Sequence, residues 1–222
     1  MEVIQTIFNI DTIFFKILNY PMSYLEFFGT IFYLLSVWLI AQKNMLTWPF
    51  GLISVILYAI LFYQIQLYSD TIEQIYYFGA CIYGWIYWEK STEKENELYD
   101  FRYSSIQNIL ILTGITVVLS LLLTIFMKDI HNLFPKIFPV PASYPFFDAL
   151  TTIMSFIAMF LMAQKRIESW VYWIIVDIVG IILYYIKEVK FISFLYVILL
   201  LIAVCGYIKW HRERIIKIEK EL

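Results

Sequence analysis

The chain reads as long apolar blocks separated by short polar stretches. Seven blocks, near 24–42, 46–65, 70–88, 105–127, 147–164, 169–187 and 191–210, run for about 18 to 23 residues each, enough for a helix to cross the hydrocarbon core of a bilayer. They predict an all-α polytopic membrane protein. Ahead of them, Glu2, Gln5, Asn9, Thr12, Lys16 and Asn19 recur at steps of three and four, with isoleucine, phenylalanine and leucine filling much of the opposite side. That spacing predicts an amphipathic helix over 1–20, lying on the membrane surface or along the bundle rim and stopped by Pro21.

The blocks differ in character. The fourth carries no charge and few aromatic rings, which suits a lipid-facing or connecting span. The third is the most polar, and a helix would align its Asp70, Gln74, Tyr77, Cys81, Gly84 and Trp88 as one stripe. The two long connections, 89–104 and 128–146, flank the plain fourth block; the first is highly charged and the second holds four of the six prolines.

Composition narrows the class. With 62% hydrophobic residues, 15% charged residues and a mean hydropathy of +0.75, the chain is too apolar for a soluble domain. The net charge of −2 says little about partners, but the placement of the basic residues says more. Seven crossings would put eleven Lys and Arg on the side of the C-terminus and five on the other, so the positive-inside rule predicts a cytoplasmic C-terminus and an external N-terminus. Glu2 and the lack of a basic leader argue against a cleavable signal peptide. Cys81 and Cys205 lie far apart within apolar blocks and read as small packing residues.

Sliding the chain against itself by 122 positions aligns 26–88 with 148–210 without a gap, at 15 identities in 63 positions. AQK at 41–43 meets AQK at 163–165, Trp48 meets Trp170, Gly84 meets Gly206, and Trp88 meets Trp210. The repeat predicts two homologous three-helix units, 24–90 and 146–212, joined by a linker span at 104–128 and followed by a tail at 213–222. An odd linker makes the units parallel, a SWEET-like 3+1+3 transporter bundle with a substrate site expected between the halves near mid-membrane depth.

The chemistry is concentrated in the sixth block, where Trp170, Trp173, Asp177 and Tyr184 share one helical face. A carboxylate at mid-membrane depth is costly unless it meets a partner or a cavity, and flanking tryptophans suit a flat or cationic ligand. The alternative is that Asp177 is paired inside the bundle and merely holds helices together. From the first half, Ser54, Tyr58, Gln74 and Tyr77 are the candidate partners in binding. Glu26 and Asp148 fall at matched positions at the outer ends of their blocks, where they would cap helices or gate the outer mouth. His131 and His211 have no plausible catalytic partners, and no metal-ligand, cofactor or phosphate-loop pattern is present, so an enzyme is not expected.

The passage WPFGLISVILYAILFYQIQLYSDTIEQIYYFGACIYGWIYW at 48–88, with YPFFDAL at 144–150 and ESWVYWIIVDIVGIILYYIKEV at 168–189, resembles the PnuC-type bacterial vitamin transporters over essentially 24–212. The resemblance implies an inner-membrane homotrimer of SWEET-like protomers carrying nicotinamide riboside by facilitated diffusion. It also implies trapping by phosphorylation in the cytoplasm, with no ion or ATP coupling, no cofactor and no nucleic-acid partner. Ser54 and Asp177 stand where family members typical of nicotinamide riboside carry asparagines. A buried carboxylate wants a cation, which both the pyridinium of nicotinamide riboside and the thiazolium of thiamine supply, so thiamine remains the alternative substrate. A SWEET-type sugar carrier is the more distant one.

Overall fold

The computed structural model describes residues 8–17, 20–65, 68–95, 101–135, 141 and 143–221. A two-stranded antiparallel ribbon, β1 (Ile13–Ile17) and β2 (Tyr20–Ser23), leads into seven helices: α1 (Tyr24–Ala41), α2 (Thr47–Gln64), α3 (Tyr68–Glu95), α4 (Ile106–Leu133), α5 (Pro145–Ala163), α6 (Ser169–Ile186) and α7 (Lys190–Glu221). All but α3 are long and apolar enough to cross a membrane. The third expected span is thus a helix of sufficient length whose Asp70, Glu73, Glu89 and Lys90 lower its apolarity.

The chain divides into two compact units, Met1–Tyr99 and Asp100–Leu222. In the first, α2 packs on both α1 and α3; in the second, α4 packs on α5, α5 on α6 and α6 on α7. The linker helix α4 belongs to the second unit. It faces α5 with a buried row of Thr116, Ser120 and Thr124, residues small enough for close helix contact, while most of its leucines and isoleucines are exposed.

One expectation fails over part of its span. Where polar spacing predicted a helix over 1–20, Ile13–Ile17 is a strand whose Phe15, Lys16 and Ile17 register with Met22, Pro21 and Tyr20, with a bulge after Ile13. The β-branched and aromatic run Ile13, Phe14, Phe15 suits a pleated surface, and Phe14 packs against Tyr24, Phe27 and Phe28 of α1. Residues 1–7 and 18–19 lie outside the described part. At the other end, α7 runs on as helix through Glu221, so the segment expected as a tail continues the last helix.

The same joint organises both units. At the α1–α2 turn, Lys43 N–H donates to Ile40 and Asn44 N–H to Leu39; at the α5–α6 turn, Lys165 N–H donates to Met162 and Arg166 N–H to Leu161. This is a Schellman stop, and Lys43 and Lys165 take its left-handed position with φ of 64° and 58°. Just beyond, Trp48 meets Trp88 edge-on at 5.5 Å and 83°, and Trp170 meets Trp210 at 5.3 Å and 84°. The backbone of Gly84 lies under the Trp48 ring and that of Gly206 under Trp170, so a methyl group at either glycine would overlap the indole. These four tryptophans are among the largest fully buried side chains and form the core node of each unit.

Candidate functional site

In the second unit, α6 presents Trp173, Asp177, Gly180 and Tyr184 at steps of four, three and four along one face. Asp177 is 3% exposed, and among the described residues it has neither a hydrogen-bond nor an ion-pair partner. One turn before it, the Trp173 indole N–H is also buried without an acceptor among the described residues. An unpaired buried polar group is costly to keep, more so when it carries charge. Two of them on one helix face make a place that calls for a ligand with a donor or a positive charge for the carboxylate and an acceptor for the indole N–H.

Further along this face a ring wall closes in. Tyr184 stacks on Tyr196 of α7 at 5.4 Å and 18°, and Tyr196 lies directly over Gly180, where an added Cβ would come within 2.6 Å of two ring carbons. Ser193 Oγ donates to the Ile181 carbonyl at 2.9 Å, which ties α7 to α6 one turn away. At the end of α6, Lys187 pairs with Asp148 at 3.3 Å and sits 5.8 Å from the Tyr184 ring centre. Beside it Tyr144, Phe147, Val179, Ile182, Leu183 and Ile186 line an apolar cavity of about 150 Å³.

The remaining candidates divide into paired and packed groups. Trp170 is 1% exposed, wedged between Trp210 and Gly206, and so belongs to the core node, as Trp48 does in the first unit. Ser54 Oγ donates to the Gly29 carbonyl at 3.0 Å, and the Tyr58 hydroxyl lies 2.8 Å from Thr30 Oγ1. Both therefore join α2 to α1. Gln74 is nearly buried, its amide reaching only back along α3 to the Asp70 carbonyl at 3.4 Å, and Tyr77 meets Tyr76 edge-on at 5.5 Å. Glu26 accepts from the Tyr20 hydroxyl at 2.7 Å, while its own N–H donates to the N-cap Ser23. Burial first, and the Glu26 carboxylate second, hold the Tyr20 hydroxyl well above the usual phenol range, so it stays a donor. Glu26 and Asp148 are thus matched in sequence but differently engaged, one by a strand tyrosine and the other by the lysine that caps the C-terminus of α6.

Sequence reasoning passed over a strap formed by residues 101–105. Arg102 N–H donates to the Lys165 carbonyl and its carbonyl accepts from Ile167 N–H; Ser104 N–H meets both Glu168 carboxylate oxygens, at 3.1 and 3.3 Å. Phe101 lies on Trp210 at 4.0 Å, and the Tyr103 hydroxyl reaches Tyr207 at 3.2 Å and His211 Nδ1 at 3.1 Å. Burial, then the bond to Tyr207, push the Tyr103 hydroxyl up beyond the phenol range. The signal for this strap was weak, because FRYS sits at the end of a charged connection and reads as solvated.

Tandem units of long apolar helices, one of them holding buried polar groups without partners among the described residues, are the marks of a polytopic membrane protein of the transporter class. The chain belongs to the PnuC-type transporter family, whose model, described as nicotinamide mononucleotide transporter, matches residues 23–212. It is 30% identical over 207 residues to the nicotinamide riboside transporter PnuC of Escherichia coli strain K12, covering 86% of this chain and 87% of that protein. It is 23% identical over 197 residues to the riboflavin/roseoflavin transporter RibM of Streptomyces davaonensis, covering 88% of each. Its fold is similar to a crystal structure of the vitamin B3 transporter PnuC, with a TM-score of 0.65 at 22% identity over 86% of this chain and 81% of that one.

Proposed function

We propose that this chain carries a flat, positively charged vitamin across the bacterial inner membrane by facilitated diffusion, with nicotinamide riboside as the first substrate. The observation that carries the reading is Asp177, a buried carboxylate without a partner among the described residues, one turn from the unpartnered indole N–H of Trp173. A pyridinium ring bound there would compensate the carboxylate and present its face to aromatic side chains, each cation–π contact contributing about 0.5 to 2 kcal/mol. Gln74 and Tyr77 of the first half would hydrogen-bond ring or sugar substituents. The family match and the nicotinamide riboside transporter of Escherichia coli among the relatives support this choice.

Thiamine is the second reading. The carboxylate of Asp177 suits it equally, since a thiazolium needs a counter-charge as much as a pyridinium does. That a relative is named for riboflavin supports variation of substrate within one scaffold. Uniport followed by cytoplasmic phosphorylation, a homotrimer, the 3+1+3 arrangement and a cytoplasmic C-terminus complete the proposal.

Calorimetric titration of the purified protein with nicotinamide riboside and, separately, thiamine tests the substrate. Saturable binding of the first alone establishes the proposal; binding of thiamine alone moves the assignment to the second reading. Uptake into liposomes that continues unchanged when proton and sodium gradients are collapsed is the expected sign of uniport. Flux that stops with either gradient would overturn it.

A further inference from the structure

Offset by 122, Gln74 on α3 corresponds to Tyr196 on α7, and Tyr58 on α2 corresponds to Gly180 on α6. At this pair of positions the halves have exchanged bulk: the first carries its ring on the middle helix, the second on the last. In the first half the ring is committed to the scaffold, because Tyr58 bonds Thr30, stacks on Phe62 at 5.6 Å and packs beside Gly29. In the second half the absence of a side chain at Gly180 lets the ring of Tyr196 settle onto the α6 backbone. Gly180 is three residues beyond Asp177, a rise of about 4.5 Å along the helix. The ring therefore lies over the α6 backbone about one turn from Asp177, on the same face, with Trp173 one turn beyond Asp177 in the other direction.

Two further contacts fix that ring. The stack with Tyr184 sets its plane, and the Ser193 bond to the Ile181 carbonyl sets the height of α7 against α6. Together they hold a flat aromatic surface one turn from a buried carboxyl group, whose ionised form is complementary to a flat cation.

We propose that Tyr196 is a substrate-contacting residue, its ring forming with Tyr184 the aromatic wall against which a flat cationic ring lies while facing Asp177. Gly180 is the positioning residue that admits it. The proposal rests on reading Asp177 as the group that meets the cation, and it adds a contact that the pattern along α6 alone does not reveal.

Titrating the full-length protein with nicotinamide riboside and thiamine decides it. Tyr196→Leu, which keeps apolar bulk and removes the ring, should weaken the bound vitamin by about tenfold or more, the scale of a lost ring-stacking contact. Tyr196→Phe should stay within about twofold of the parent. Gly180→Ala should weaken binding as Tyr196→Leu does, by driving the ring off the helix, and the double variant should be no weaker than Tyr196→Leu alone, since both remove one contact. Should Tyr196→Leu not fold, Gly180→Ala and Tyr196→Phe carry the same comparison. Parent affinity in Tyr196→Leu or Gly180→Ala overturns the proposal. Asp177→Asn separates it from the reading beneath: loss there with Tyr196→Leu unaffected refutes only the wall, whereas unchanged binding in Asp177→Asn refutes the cation site itself.

Discussion

In the first half Ser36 and Thr47 exchange hydrogen bonds, Ser54 donates to the Gly29 carbonyl, and Tyr58 meets Thr30. The equivalent places in the second half hold Ala158, Ser169, Val176 and Gly180. There the Ser169 hydroxyl is buried without a partner among the described residues, as are the Trp173 indole N–H and Asp177. The scaffold is common, down to the Schellman turns, the edge-on tryptophan pairs and the glycines beneath them. What differs is the use of polar groups. The first half uses most of them to bind helix to helix, the Trp48 indole N–H being buried without an acceptor among the described residues; the second leaves several unmet along α6. Duplication supplies two copies of a stable joint, and divergence leaves the second copy with buried polar groups that have no partner among the described residues.

The sharpest way to break this comparison is Asp177→Ala. It should lower affinity for the bound cation by on the order of a hundredfold or more, because the charge left behind in the ligand is buried and unpaired. The protein's elution and thermal unfolding in detergent should be unchanged, and a large fall in Tm would mean the carboxylate holds the scaffold after all.

Next in size are the glycines of the core nodes. Gly84→Ala and Gly206→Ala should each destabilise by about 1 to 3 kcal/mol through overpacking against an indole, read as a lower Tm. Similar losses in both are expected, and an effect confined to one would show that the two joints are not equivalent. Smaller still is Ser54→Ala, expected to cost about 1 kcal/mol because one interhelical hydrogen bond is lost. Ser169→Ala should shift Tm by close to nothing, or upward, since it removes a buried hydroxyl that gains nothing from the fold. A clear loss in Ser169→Ala would reveal a bond that contradicts the contrast between the halves.

Much of this architecture is legible in the residues alone. The helices follow from apolar length, and the repeat from tryptophans and glycines that composition does not explain. Asp177 stands out because a charge in an apolar block is conspicuous. Other parts are not legible, for identifiable reasons. Polar residues at steps of three and four predict a helix through 13–17, but the pairing of Ile13–Ile17 with Tyr20–Ser23 is a choice between segments that spacing cannot express. Trp170 shares a face with Asp177, and only the ring of Trp210 and the backbone of Gly206 reveal that it also packs in the core node, its indole N–H buried without an acceptor among the described residues. Tyr196 offers no signal on its own helix; its importance comes from a missing side chain on another.

The strap of residues 101–105 bears on where the chain can be divided. The repeated unit runs from Glu26 to Trp88 and from Asp148 to Trp210, so a division drawn by homology would fall just before Asp148. Phe101 on Trp210, Arg102 on the α5–α6 turn and Ser104 on Glu168 make that cut the wrong one, because it would strip the second half of its strap and of α4. A two-piece version of this protein, expressed as separate chains, should be severed ahead of Phe101. The ancestral boundary and the present mechanical boundary no longer coincide.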